Sequence, residues 1–353
     1  MSESHYKTTE MQVILKLRTL QKSLPPFVTE LFRGLSDYTS ARTRLGYAYD
    51  LKTFFTYLSE EVCHKDIKSF TLEDLANITV DDIEGFMDYL TYYLKQKKEE
   101  TSTSEVIVKN EAMGKSRKLA AIRTMFKYFY GKRKLPANPA ELVGFPKVRE
   151  KVITTLESNE IALLLELVES GDKLTDQQKQ YHQHTKVRDV ALITLLLGTG
   201  LRVSECIGLN LQDINFETEV LKITRKGGDE ALLYFGQEVS EALQAYFILR
   251  KEMKPKVGHE DAFFLSMQNR RITDRAVQKM VKKYAELVTT LKKISPHKLR
   301  STFGTQLYKE TQDIYLVANI LGHADVNTTR KHYAKMDDEH RRRAANAVKL
   351  RKD

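Results

Sequence analysis

The chain has 353 residues, 41% of them hydrophobic, and its 57 lysines and arginines outnumber 47 acidic residues, leaving a net charge of +10. That length exceeds one ordinary core and predicts two domains, while the apolar content excludes wholesale disorder. The charge favours a polyanionic partner, nucleic acid or an anionic membrane surface, but no apolar run of ~18 residues exists and the start "MSESHYKTTEMQ" lacks a signal-peptide core, which argues against the membrane.

In chain order, residues 11–33 read as one or two short helices interrupted at Pro25-Pro26. "SARTRLGYAYDLKTFFTYLSE" predicts a stronger helix, because Tyr47, Leu51, Phe54, Phe55 and Leu58 recur on one face. "TVDDIEGFMDYLTYYLKQ" reads as a further amphipathic helix with Thr79 as N-cap, and the polar stretch 97–105 as a loop. "GKSRKLAAIRTMFKYFYGKRK" then gives a helix with Leu119, Ile122, Phe126 and Phe129 as its buried stripe. Arg117, Lys118, Arg123 and Lys127 occupy its other positions.

"LPANPAELVGFPKVREKVITTLES" holds Pro136, Pro139 and Pro146 and reads as an extended linker, punctuated by Lys147, Arg149 and Lys151. A second domain opens near Thr155 with a helix capped by Ser158 or Asn159. After a polar loop, "GDKLTDQQKQYHQHT", a buried helix runs from Lys186 through "VALITLLLG". Beyond it, "INFET", "EVLKITR" and "ALLYFG" are short β-type runs forming a small antiparallel unit, with a glycine turn after Lys226. From about Glu238 the chain is again helical. There is no internal repeat or low-complexity tract. The expected fold class is mainly α with a small antiparallel β-sheet, divided as 1–35 (helical extension), 36–140, 141–154 (linker), 155–336 and 337–353 (tail). Two cysteines, Cys63 and Cys206, cannot form a disulfide framework, and a reducing cytoplasm is the simplest setting.

Several chemistries lack their parts. "GTGLRVSE" misses the third glycine of a dinucleotide fingerprint, and no GxxxxGK[ST] occurs. His182 and His184 have no cysteine or carboxylate at ligand spacing, so no metal site is expected. What stands out is a set of single basic residues in apolar or small-residue settings. Arg202 follows "LLLGTG" at the end of a buried helix, where a guanidinium needs an anion or strong acceptors. Glu205, three residues on, either orients it or simply pairs with it. Lys226 sits on the glycine turn. His297 and Arg300 lie one helical turn apart, after Pro296 in the first turn. Gly322 suits a left-handed helix cap, with His323 emerging directly after it and Tyr333 on the helix that follows.

Together these fit phosphoryl transfer to a protein nucleophile. Arginines fork onto non-bridging phosphate oxygens, and a lysine protonates a poor alkoxide leaving group. A histidine shares protons near neutral pH. A tyrosine hydroxyl, with an ordinary pKa of ~10, becomes nucleophilic when cations favour its anion. Fixed cations do a metal's work, so no metal and no other cofactor is called for.

In order and spacing, "TGLRVSECIGL", "TRKGG", "HKLRSTFGT" and "LGHADVNTTRKHY" resemble the catalytic boxes of tyrosine site-specific recombinases of the integrase and Xer type. "SARTRLGYAYDLKTFFTYL", "SRKLAAIRTMFKYFY" and "LPANPAELVGFPK" resemble that family's SAM-like helical core-binding domain, and residues 11–35 its single-recombinase Xer extension, with no separate arm-site domain ahead. The resemblance implies a C-shaped clamp on DNA with Arg202 and Arg300 holding the phosphate, Lys226 as general acid and His297 assisting. It also implies that His323 donates to the phosphate, that Tyr333 is the nucleophile and that Glu205 is the supporting acid. Two positions depart from the common pattern. Ser301 stands where many members have histidine, and His323 and Tyr333 are ten residues apart where many have nine. The implied reaction passes through a 3′-phosphotyrosyl link without ATP, on a specific duplex core site. It is carried out by a homo-tetramer on two sites, with a DNA translocase or directionality factor as a further partner. DNA contacts are expected from Arg42, Arg44, Lys115, Arg117, Lys118, Arg123, Lys127, Lys147 and Arg149, and protomer contact from the tail. A catalytically silent DNA-binding protein of the same fold is the alternative, and a type IB topoisomerase shares the chemistry.

Overall fold

The computed structural model describes residues 5–98, 103–148, 154–225, 228–323 and 325–326, and the chain divides into two compact units, Met1–Glu150 and Lys151–Asp353. The first unit is built from α1 (His5–Gln21), α2 (Val28–Gly34), α3 (Ala41–Tyr57), α4 (Leu72–Ala76), α5 (Val80–Tyr89) and α6 (Ala112–Gly131), with strands β1 (Tyr92–Lys98) and β2 (Thr103–Lys109). Three helix starts are held by side-chain caps. Ser40 Oγ accepts from the Thr43 N–H, and Thr71 and Thr79 form reciprocal caps with Asp74 and Asp82. The predicted stripes are the core: Leu51, Phe54, Phe55 and Leu58 of α3 and its continuation meet Leu119, Ile122, Phe126 and Phe129 of α6, all fully buried. Phe27 bridges Phe55 and Phe129 edge to face at 5.9 and 5.5 Å.

Two expectations fail here. The helix opened by Thr79 ends at Tyr89, and residues 97–98 and 103–105 of the expected loop lie in strands, where β1 pairs antiparallel with β2 from Tyr92↔Lys109 to Lys98↔Thr103. Tyr93 stacks on Tyr89 (5.1 Å between centroids), while its strand neighbours Tyr92 and Leu94 are exposed. That alternation is a period of two, which the run of aromatic and apolar residues concealed.

The second unit contains α7 (Ser158–Ser170), α8 (Asp176–Thr199), α9 (Val203–Gly208), strands β3 (Ile214–Asn215), β4 (Val220–Thr224) and β5 (Glu230–Tyr234), then α10 (Gln237–Glu252), α11 (Asp274–Val288), α12 (Pro296–Thr311) and α13 (Ile314–Leu321). The strands form one antiparallel sheet in the order β3-β4-β5. α8 is the central helix; it packs against α7, α10 and α12 and is apolar all round through Ala191, Leu192, Ile193, Leu195 and Leu196. It starts ten residues earlier than expected. Thr175 and Gln178 cap each other, so residues 176–185 of the presumed polar loop are helix while 171–175 remain loop, and His182 is a buried residue whose Nε2 meets the Val168 carbonyl at 2.8 Å. His182 is therefore held in packing. The N-cap of α7 is Glu157 and neither Ser158 nor Asn159; its N–H donates to the Glu160 carboxylate at 2.8 Å.

Candidate active site

Helices α8 and α13 of the second unit, like α7 at Gly171, end in glycines with left-handed backbones, Gly200 (φ +63°) and Gly322 (φ +60°). Sterics reinforce the choice. A methyl on Gly200 would collide with the Phe303 ring and Leu321, and one on Gly322 with the Arg225 guanidinium. Both caps leave backbone carbonyls facing the start of α9 and the buried face of α12.

Arg202 is the N-cap of α9. Its Nη1 meets Glu205 Oε1 at 2.7 Å, its N–H donates to Glu205 Oε2 at 2.8 Å, and its Nη2 donates to the Gly322 carbonyl at 3.1 Å. Arg300, 5% exposed on α12, donates to the Gly200 carbonyl at 2.6 Å and to the Leu321 carbonyl, and its Nη1 lies 3.9 Å from Glu205 Oε2. One buried carboxylate thus faces two guanidiniums that fasten to adjacent carbonyls at the C-terminus of α13. That end carries the negative pole of the helix, which favours cations. His323 follows at once, its N–H donating to the Ala318 carbonyl at 2.9 Å. His297 lies exposed in the first turn of α12, three residues before Arg300. The structure therefore gathers Arg202, Glu205, Arg300 and the chain entering His323 at one place. Lys226 and Tyr333 lie outside the described residues, so the ten-residue interval does too. Next to Glu205, burial pushes the Cys206 thiol up, leaving it a packed, unreactive group.

The basic candidates of the first unit divide. Arg42, Arg117, Lys127 and Lys147 are exposed, and Arg44 and Lys115 half-buried, Lys115 donating to Thr91 Oγ1 at 2.6 Å. Two depart from the expected outer face. Lys118 is 7% exposed, with its Nζ 2.8 Å from Asn110 Oδ1. Arg123 donates to the carbonyls of Ala140, Glu141 and Val143 and lies over the Phe145 ring at 4.3 Å. Arg123 thus satisfies carbonyls at the start of the proline-rich segment, two of them partly buried, and Lys118 holds the Asn110 side-chain amide at the end of the hairpin. Arg149 is outside the described residues. Sequence reasoning missed Arg225 and Asp50. Arg225 reaches the carbonyls of Asn319 and Ile320; Asp50 is a buried carboxylate of α3 paired with Arg117 at 2.6 Å. Asp50 alone carried a signal, a charge one residue before a core leucine. Among the described residues no helix is long and apolar enough to cross a membrane, and no His, Cys, Asp and Glu cluster could hold a metal.

Comparison with known proteins agrees with this geometry. The phage integrase family matches residues 154–340. The tyrosine recombinase XerC of Caldanaerobacter subterraneus subsp. tengcongensis is 33% identical over 91% of this chain and 86% of its own length. The tyrosine recombinase XerS of Lactococcus lactis subsp. cremoris is 28% identical over 90% and 94%. Among solved structures, the XerH site-specific recombinase bound to a palindromic difH substrate has the same fold, with a TM-score of 0.61 at 20% identity over 96% of each chain. With its two arginines gathered on one carboxylate at the helix end that leads into the last box, the chain belongs to the phage integrase family and is a tyrosine site-specific recombinase, an enzyme that breaks and rejoins DNA.

Proposed function

We propose that Arg202, Lys226, His297, Arg300, His323 and Tyr333 form the strand-exchange site, with Glu205 orienting both arginines. The observation that carries this reading is the convergence of Arg202 and Arg300 on Glu205 and on the end of α13, beside His323. The phenolic oxygen of Tyr333 attacks the scissile phosphorus, and the bond to the 5′ oxygen breaks. Lys226 supplies that oxygen's proton, and the arginines neutralise charge on the non-bridging oxygens. A 5′ hydroxyl from a partner duplex then displaces the tyrosine in the reverse sense. The phosphotyrosyl bond conserves the energy of the broken linkage, so no nucleotide is consumed.

The substrate on this reading is a specific duplex DNA site, a reading supported by the +10 charge, by the exposed Arg42, Arg117, Lys127 and Lys147, and by the likeness to a recombinase bound to difH. Residues 36–140 would serve as the core-binding domain and 155–336 as the catalytic domain. Four protomers would act on two sites in the cytoplasm, joined by the 337–353 tail, with a DNA translocase or directionality factor as a further partner. A suicide substrate with a nick beside the scissile bond tests the chemistry. The unsubstituted chain should accumulate a covalent protein–DNA adduct; Tyr333→Phe should bind the same DNA within about twofold yet form none, a loss of at least about 10⁴-fold. An adduct that survives in Tyr333→Phe would assign the nucleophile elsewhere.

A further inference from the structure

Four consecutive carbonyls close α13, and three arginines from three different elements hold them. Arg202 takes Gly322, Arg300 takes Leu321, and Arg225, directly after β4, donates from Nη2 to Asn319 at 3.3 Å and to Ile320 at 3.4 Å. Arg225 is also built into the β4–β5 turn. Its N–H donates to the Asp229 carbonyl at 2.7 Å, and its own carbonyl accepts from the Gly228 N–H at 3.0 Å. Its guanidinium lies against Gly322, whose left-handed backbone strains any side chain and where a Cβ would push the guanidinium aside. A single residue therefore has its backbone in the turn and its side chain on the helix that delivers His323. Lys226 is the next residue along the chain.

We propose that Arg225 is a positioning residue for strand cleavage: it ties the β4–β5 turn to the C-terminus of α13, so that the general acid and the phosphate-binding end of the helix keep one spacing. The proposal rests on the assignment of Lys226 as general acid. Arg225 acts on this account through the Asn319 and Ile320 carbonyls that its Nη2 reaches, and not as a phosphate ligand. The planar guanidinium lies against Gly322 while its Nη2 reaches both carbonyls, whereas a lysine ammonium is a compact point charge with no plane to lie there. Displacing a proton donor by about an ångström costs up to about 10²-fold in rate without touching affinity.

The test compares Arg225→Ala, Arg225→Lys and Lys226→Ala, each in the full chain, on a nicked suicide duplex and on the same duplex with sulfur replacing the bridging 5′ oxygen. A thiolate leaves without being protonated, so the sulfur substrate bypasses the general acid. Arg225→Ala is expected to bind DNA within about twofold of the unsubstituted chain and to form adduct about 30- to 100-fold more slowly. The sulfur substrate should restore it to within about threefold. Arg225→Lys, which keeps the charge, should be slowed about tenfold and restored likewise, and it decides the matter if the alanine variant fails to fold. Cleavage within twofold of normal in the lysine variant overturns the proposal. So does a drop in DNA affinity that matches the drop in rate, or a slowed Arg225 variant that sulfur does not restore while it restores Lys226→Ala. If Lys226→Ala itself is not restored, the assignment of Lys226 as the acid fails, and the coupling to it falls with it.

Discussion

Glu205 holds the site together at the scale of single residues. Its carboxylate receives the Arg202 side chain and N–H and lies 3.9 Å from Arg300, so one buried anion fixes two cations whose positions decide where a phosphate sits. Removing it leaves two partly buried guanidiniums facing one another. Glu205→Ala is expected to slow adduct formation by about 10²-fold, with Glu205→Gln intermediate because one acceptor oxygen remains. Both variants should retain most of their DNA affinity, so single-turnover cleavage at saturating protein reads the effect; an unchanged rate in Glu205→Ala would dismiss the orienting role. The pairing of Arg202 with Glu205 was legible in the sequence, because three residues on a helix start bring side chains together whatever the rest of the chain does. The reach of Arg225 to Asn319 was not. Those residues are 94 positions apart, and nothing local records which helix end will face a turn.

Elements show the same division. The apolar stripes of α3 and α6 were readable from spacing alone, and they are the core of the first unit. The polar contacts between those two helices were hidden, because a charged residue on a basic helix looks solvent-facing until its partner is placed. Asp50 is the clearest case: burial raises its carboxyl from 3.8 to about 6, against the opposing pull of Arg117 and Lys118. A folded-state value above the unfolded one means that the folded chain holds this proton more tightly. The site's contribution to stability is then present in acid and lost as pH rises from about 4 through about 6. Asp50→Asn cannot titrate. Its stability relative to the unsubstituted chain should therefore rise by roughly 2 kcal/mol between pH 4 and pH 7, as read by urea unfolding at each pH. A difference that stays constant with pH would show that Asp50 is not held this way. The hairpin was misread for the opposite reason. Tyr92, Tyr93 and Leu94 continue a helical run in composition, and only the antiparallel partner at residues 103–109 makes the alternation visible.

For the whole molecule, the +10 charge and the two-unit division set how it meets a polyanion. Phosphate neutralisation releases counterions, so binding to a cognate duplex should weaken with salt along a log–log slope of about −5 or steeper. Fluorescence anisotropy between 50 and 300 mM salt measures it, and a flat response would contradict a basic DNA-binding face. The division into two units was readable because length and prolines mark two bodies. The allocation of individual cations was not readable, since Lys118 and Arg123 serve the interior of their own unit. One feature at the end of α13 also bears on how this protein tolerates change. Apart from the Glu205 carboxylate, the acceptors that hold Arg202, Arg225 and Arg300 are main-chain oxygens of Gly200, Asn319, Ile320, Leu321 and Gly322. Substitution cannot delete a carbonyl. The exposed Asn319 is thus free to vary without loosening an arginine, whereas a side chain at Gly322 strains a left-handed backbone and pushes into the Arg225 guanidinium, and one at Gly200 pushes into Phe303 and Leu321.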